Sequence, residues 1–239
     1  IRGRQKRYRA NQNAPIFPEL CSLVAKTLGP AQFVSNALRP IESESDVALI
    51  CDTGLYGDAT PAIITQLRGL LGEELTITAP SLDLHSGMYG GIAMNPIRVL
   101  SNIITGLHDE TGRITLPGFY DGVPELSDEV LSQWQGLGFD HQKFLGDVGL
   151  KTPAGEVDRT PLEQIWSRPT CEVNGINGGY TGDGFKTVLP SQASAKISFR
   201  LVGTQDPAAI HRAFDTYLRA NLPDGFSIDP DTGLITGTL

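Results

Sequence analysis

Hydrophobic positions change their period along the chain, and each change predicts an element. Residues 46–52, Asp-Val-Ala-Leu-Ile-Cys-Asp, form a short apolar run closed by Asp52. This predicts a buried strand with Asp52 at its carboxyl end, the end at which open α/β sheets bind ligands. From Glu74 to Ala79, Leu75, Ile77 and Ala79 alternate with Thr76 and Thr78, which predicts a strand with one buried face. Asn95-Pro96 opens a helix with a capping side chain and a proline at the first helical position. Ile97, Leu100, Ile104 and Leu107 then fall on one helical face. Residues 111–168 are rich in Gly, Pro and acids around short helical patches such as Ser127 to Leu137, and read as a long insertion. Ala195 to Val202 alternates again as a strand. Pro207 to Leu222 places Ile210, Phe214, Tyr217 and Leu218 on one helical face, and Phe226-Ser-Ile-Asp predicts a last strand. The order β–α–(insertion)–β–β–α–β predicts an α+β layer pair, an antiparallel sheet with helices on one face.

Composition narrows the class. The chain has 239 residues, 40% hydrophobic and 19% charged, which excludes wholesale disorder and leaves room for a sizeable core. No run of about eighteen apolar residues predicts a membrane-spanning helix. Cys21, Cys51 and Cys171 are far apart, which argues against a disulfide scaffold and a Cys-rich zinc site. The expected compartment is reducing and cytoplasmic. Net charge is −8, yet residues 1–40 hold seven Lys/Arg against one acid, Glu19. The acidic remainder does not suit a nucleic-acid groove. The basic run Arg2 to Arg9 reads as a solvated tail and lacks the apolar stretch of an export signal.

Three places hold candidate chemistry. Ser81 to Gly91 puts His85 just after a strand among Gly87, Gly90 and Gly91, where an imidazole can donate to an oxyanion or act as acid or base. Asn174 to Pro190 holds Gly175, Gly178, Gly179, Gly182 and Gly184, a loop able to cradle an anion or simply to close a wide hairpin. Arg200 lies inside the strand Ile197 to Val202, either on the solvent face or aimed at a carboxylate. Asp52 alone is no metal site, since three or four ligands are needed. His108, His141 and His211 form no ligand spacing with it, and His108 and His211 read as structural.

Together these segments resemble the carnosinase, aminoacylase and glutamate-carboxypeptidase family of co-catalytic zinc metallopeptidases, most of all its carnosinase-type dipeptidase branch. The matching pieces are Ala48 to Gly54, Leu67 to Leu70, Asp83 to Gly91, Asn95-Pro96 and Leu116 to Val123. Arg168 to Gly175, Gly178 to Pro190, Ala195 to Val202 and Gln205 to Pro207 follow in family order. The resemblance implies a metal-binding domain interrupted by a lid, or dimerisation, domain. The implied lid is a four-stranded antiparallel sheet with two helices. Residues 46–69 would be the edge of the metal-binding domain, and 70–229 the lid with its insertion at 111–168. It implies zinc at a two-metal site with Asp52 as a ligand. It implies His85 reaching a partner subunit's active site to stabilise the oxyanion. Thr187, Arg200, Gly182 and Gly184 would hold a small peptide substrate, Arg200 by its terminal carboxylate. The implied assembly is a homodimer formed through the lids, with no nucleic acid or membrane partner.

The chain departs from that pattern in its metal ligands. Of the set the family uses, only Asp52 is recognised, and residues 1–45 do not read as family sequence. The expectation is therefore a peptidase fragment, inactive as given, with a non-catalytic dimerisation module as the alternative. Leu222 to Leu239 also resembles the closing segment of bacterial immunoglobulin-like surface repeats, which makes an adhesion module a remote alternative. Reading the lid strand through Asp229 leaves residues 230–239 unassigned.

Overall fold

The computed structural model describes residues 66–229 and 234–237. The strand expected at 46–52, Asp52 and the basic segment 1–45 lie outside the described residues. The first element, β1 (Gly69–Thr78), is followed by a two-residue strand β2 (Leu84–His85) and a one-turn helix α1 (Ser86–Tyr89). Then come α2 (Pro96–Thr105), three short helices α3 (Asp128–Gln135), α4 (His141–Gly146) and α5 (Pro161–Trp166), and β3 (Thr170–Gly178). β4 (Val188–Leu189), β5 (Gln192–Leu201), α6 (Pro207–Asn221), β6 (Phe226–Ile228) and β7 (Ile235–Gly237) complete the order.

Local chemistry accounts for the element ends. The Asn95 side chain accepts a hydrogen bond from the Ile97 amide at 2.9 Å, and Pro96 occupies a position whose amide would otherwise lack a partner. Asp206 caps α6 in the same way through the Ala208 amide. Thr160 and Glu163 form a reciprocal capping box at the start of α5.

The main sheet has the order β3-β5-β1-β7-β6. β1 pairs antiparallel with β5 from Gly69↔Leu201 to Thr78↔Gln192, and β5 pairs antiparallel with β3. A bulge between Val173 and Gly175 interrupts the β3 ladder. Odd-numbered residues of β5 are buried and even-numbered ones are not, so one face of the sheet carries the core. Leu75, Ile77, Ala195, Ile197 and Phe199 meet Val99, Leu100 and Ile103 of α2 and Ile210, Phe214 and Leu218 of α6 in that core. Both long helices therefore lie on the same face. Tyr217 of α6 joins them by donating its hydroxyl to the Ile103 carbonyl at 2.7 Å. The buried stripe of α2 is turned slightly from the expected one. Leu100 and Leu107 are buried, Val99 and Ile103 join them, and Ile97 and Ile104 flank the core.

The expected four-stranded antiparallel sheet is corrected by the far end of the chain. The sheet has five strands and is mixed, because β7 pairs parallel with β1 through Ile77↔Ile235 and Thr78↔Thr236. β6 pairs antiparallel with β7 at the outer edge. Ile235 is fully buried, so the apolar side chain in the unassigned tail is what draws this segment onto the sheet.

Between α2 and β3, Ile114, Leu116 and Phe119 pack into the same core. Beyond them the chain leaves the sheet, and α3 and α4 bury no residue. A buried ion pair brings the excursion back. Arg168 donates through Nε and Nη2 to Glu156 at 2.6 and 3.1 Å, both side chains almost fully enclosed. Arg113 lies 4.2 Å over the Tyr120 ring, and Tyr120 hydrogen-bonds Glu156. Burial raises the Tyr120 hydroxyl, with the Glu156 bond, to about 12. For Glu156, burial alone would raise the carboxyl, but bonds from Arg168 and Tyr120 and the charges of Arg168 and Arg113 hold it below the usual range.

Candidate functional site

His85 is carried by a small second sheet at the end of β1. β2 and β4 pair antiparallel through Leu84↔Leu189 and His85↔Val188. The Ser86 amide extends that ladder by donating to the Thr187 carbonyl at 3.0 Å. Asp83 ties the turn to the main sheet, its Oδ1 accepting from the Ser191 amide at 2.8 Å. The Ala79 amide donates to the Ser191 carbonyl at 3.1 Å. His85 and Thr187 are thus fixed at the Thr78/Gln192 end of the sheet.

Both ring nitrogens of His85 have defined neighbours. Nδ1 accepts from the Gly87 amide at 3.0 Å, where His85 caps α1. Nε2 lies 3.2 Å from Thr187 Oγ1. Since Nδ1 accepts, the neutral ring carries its hydrogen on Nε2. Nε2–H is then a donor, directed at the Thr187 hydroxyl and able to serve another oxygen placed beside it. Gly87 lets the ring sit here: a Cβ there would stand 2.8 Å from the His85 ring carbon Cε1, and the ring would have to shift. Both His85 and Thr187 are exposed, and so are Leu82, Met88, Tyr89, Ile92 and Phe185 around them.

The glycine-rich loop folds on itself. Tyr180 donates its hydroxyl to the Asp183 carbonyl at 2.8 Å, and Lys186 Nζ lies 5.8 Å from the Tyr180 ring centre. Gly182 leaves room for the Tyr180 ring, and Gly184 adopts a left-handed φ of +73°. No amide of either glycine contacts His85 in the described hydrogen bonds. Both residues stay near the site through the short path to Thr187.

Arg200 is elsewhere. It sits on the open face of β5, opposite Leu70 of β1 and Thr170 of β3. Eight residues of extended strand separate it from Gln192, roughly 26 Å at about 3.3 Å per residue. It makes no hydrogen bond or ion pair among the described residues. Arg68 is close enough for the two charges to act on each other. Burial lowers the Arg68 guanidinium below its usual range, and the Arg200 charge adds to this. Arg68 Nη1 donates to the carbonyls of Arg168 and Gln164 at 3.3 and 3.5 Å. The pair puts two positive charges at this end of the open face, with no ion pair to either among the described residues, an arrangement suited to a carboxylate. Sequence reasoning did not single out Arg68 or Asp83, and it named Gly87 only as one of the loop glycines around His85. Their signal was their place inside the matching segments beside Arg200 and His85.

The described residues do not fit a zinc pair. No three His, Cys, Asp or Glu side chains come together among them. Asp52, the implied ligand, lies outside the described residues. Cys171 is buried, and burial, with the nearby Glu172 charge, pushes its thiol up to about 12, which removes it as a nucleophile or metal ligand at neutral pH.

The fold just described coincides with a known module. Residues 65–225 match the family model of the peptidase dimerisation domain. The chain belongs to this family. The Cys-Gly metallodipeptidase of Schizosaccharomyces pombe is 31% identical over 170 residues, covering 71% of this chain and 36% of that protein. The human Beta-Ala-His dipeptidase is 27% identical, covering 72% of this chain and 34% of its own length. Among solved structures, an M20 family metallo-carboxypeptidase of Sulfolobus solfataricus superposes with a TM-score of 0.64 at 34% identity. That match covers 71% of this chain and 44% of the other. The chain therefore spans about a third to somewhat under a half of the length of these relatives. No helix among the described residues is long and apolar enough to cross a membrane.

Proposed function

We propose that this dimerisation domain is the lid of a zinc metallopeptidase that hydrolyses dipeptides, acting in a homodimer in the cytoplasm. The observation that carries the reading is the exposed His85–Thr187 pair. Its Nε2–H is held in one tautomer by Gly87, on a two-stranded support locked to the main sheet. A neutral donor fixed before reaction is what stabilisation of a tetrahedral oxyanion needs. Arg200, backed by Arg68, suits the terminal carboxylate of a dipeptide, and Gly182, Gly184 and Thr187 line the approach. Because His85 is held at the Gln192 end of β5 and Arg200 lies near the other end, the His85 of one subunit serves the site of the other. The dipeptidase relatives support the substrate class, and the sparse thiols support the reducing compartment. The metal, held by Asp52 and residues other than the described ones, belongs to the complete enzyme. The isolated chain is a lid without hydrolytic activity.

The test is a graft. Residues 68–229 replace the lid of the Schizosaccharomyces pombe Cys-Gly metallodipeptidase, and dipeptide hydrolysis is measured. The graft should be active, and His85→Ala should lower kcat about 10²–10³-fold, the usual effect of removing one oxyanion donor. An active graft indifferent to His85→Ala ends the assignment. For the isolated chain, zinc per chain after dialysis should be near zero and no dipeptide should be cleaved.

A further inference from the structure

The glycine-rich loop between β3 and β4 carries two aromatic rings with opposite fates. Tyr180 turns inward and holds the loop, its hydroxyl donating to the Asp183 carbonyl at 2.8 Å. Gly182 gives that ring room, since a Cβ there would stand 2.6 Å from the Tyr180 hydroxyl. Phe185 holds nothing. It is 106% exposed, as open to water as in an unfolded chain, and exceeds every other large apolar side chain among the described residues. Its backbone is nonetheless fixed on both sides. Gly184 before it takes a left-handed φ of +73°. After it, the Val188 amide donates to the Lys186 carbonyl at 2.9 Å, and the Ser86 amide donates to the Thr187 carbonyl at 3.0 Å. Phe185 is therefore presented outward two residues from Thr187, whose hydroxyl lies 3.2 Å from His85 Nε2. Two residues of chain put the Cα atoms of Phe185 and Thr187 at most about 7 Å apart. Along the chain after His85, Met88 and Ile92 are exposed as well.

Burying an aromatic ring is among the largest gains a single side chain can make. Held away from its own chain, the Phe185 ring can make that gain only against another molecule. We propose that Phe185 sets the substrate preference of the peptidase: across the dimer its ring forms an apolar wall for the side chain of the dipeptide's first residue. The proposal rests on the oxyanion role given to His85 above. The oxygen served by Nε2–H belongs to the carbonyl of that first residue. Its side chain branches from the carbon bonded to the same carbonyl, whereas the second residue's side chain lies beyond the nitrogen of the bond to be cut. A group standing beside the His85–Thr187 pair therefore meets the first residue before the second. Lys186, the adjoining cation, lies 5.8 Å from the Tyr180 ring centre and is turned to the loop, so the wall itself is apolar. It favours a first residue such as leucine over alanine.

The graft described above supplies the test, with Ala-Gly and Leu-Gly as substrates. Each methylene in an apolar pocket is worth about 10–200-fold in kcat/KM, so Phe185→Ala should reduce the ratio of Leu-Gly to Ala-Gly hydrolysis by about tenfold or more. His85→Ala should slow both peptides alike and leave that ratio unchanged. A graft indifferent to His85→Ala ends the oxyanion role itself. One that needs His85 but keeps its ratio in Phe185→Ala overturns the Phe185 wall alone. An equal loss for both peptides, with a weaker dimer, makes Phe185 an interface anchor and overturns the wall too. Binding gives a second readout, independent of turnover. The emission that Phe185→Trp adds to the graft should shift to the blue when a phosphinic analogue of Leu-Gly binds, and an unshifted emission overturns the wall. In the isolated chain, Phe185→Ala should leave Tm unchanged. A lower Tm would place the ring in the packing of the fold and overturn the proposal.

Discussion

His85 Nε2 and Thr187 Oγ1 stand 3.2 Å apart although 102 residues separate them in the chain. Two strands of two residues each bring them together, and Gly87 fixes the ring between them. The first prediction follows from that glycine. In Gly87→Ala the new methyl meets the His85 ring at 2.8 Å, so the ring must leave its place. Side-chain nitrogen spectra should show one neutral tautomer, protonated on Nε2, in the wild type and a mixture in the variant. Identical spectra would remove the Gly87 anchor.

Glu156→Gln leaves Arg168 charged and enclosed, without the carboxylate it grips at 2.6 Å and with only Glu125, at 3.5 Å, still facing it. Breaking such a pair costs about 3–5 kcal/mol, and Tm should fall by roughly 10 °C at neutral pH.

The same pair sets an acid response. The Glu156 carboxyl is held below its usual range in the folded chain, so its contribution is present above the unfolded value and is lost as pH falls through the folded one. The Tm gap between wild type and Glu156→Gln should therefore be widest near neutrality and close in acid. A gap constant with pH would show that the variant acts through packing alone.

Gly203 has a φ of +59°, and a Cβ there would press on the Gly122 carbonyl oxygen and the Pro124 ring. Gly203→Ala should cost about 2 kcal/mol or more, from backbone strain and this contact together. Denaturant unfolding should show a lower midpoint with an unchanged slope.

Phe199 is fully enclosed and meets Phe119 and Phe214 at ring distances of 5.9 and 5.6 Å. Phe199→Ala should cost about 3–5 kcal/mol. Thermal melts of the two proteins measure it.

Elements with a strong local period were legible before the structure. The β1 alternation around Leu75 and Ile77, the Asn95 cap and the Ile210/Phe214/Tyr217/Leu218 face of α6 are set by residues adjacent in sequence. β7 was not legible, because three residues paired to strands elsewhere in the chain carry no periodic signal. The Glu156–Arg168 pair was hidden for the same reason, since its meaning comes from burial rather than spacing. His85 was found as a candidate, but its link to Thr187 depends on the pairing of β2 with β4. Arg200 was found as well, while its distance from His85 depends on the register of β5.

That distance makes a genetic statement. A dipeptide is about 7 Å long when extended, so it cannot span the roughly 26 Å of β5 that runs from Arg200 to Gln192, the end at which His85 is held. On the proposed roles, a complete enzyme lacking His85 and another lacking Arg200 would each be crippled alone. Mixed and allowed to exchange subunits, they would form a heterodimer in which one of the two sites draws its imidazole from one parent and its guanidinium from the other. Half of that heterodimer would work, and two defective alleles would complement each other in one cell.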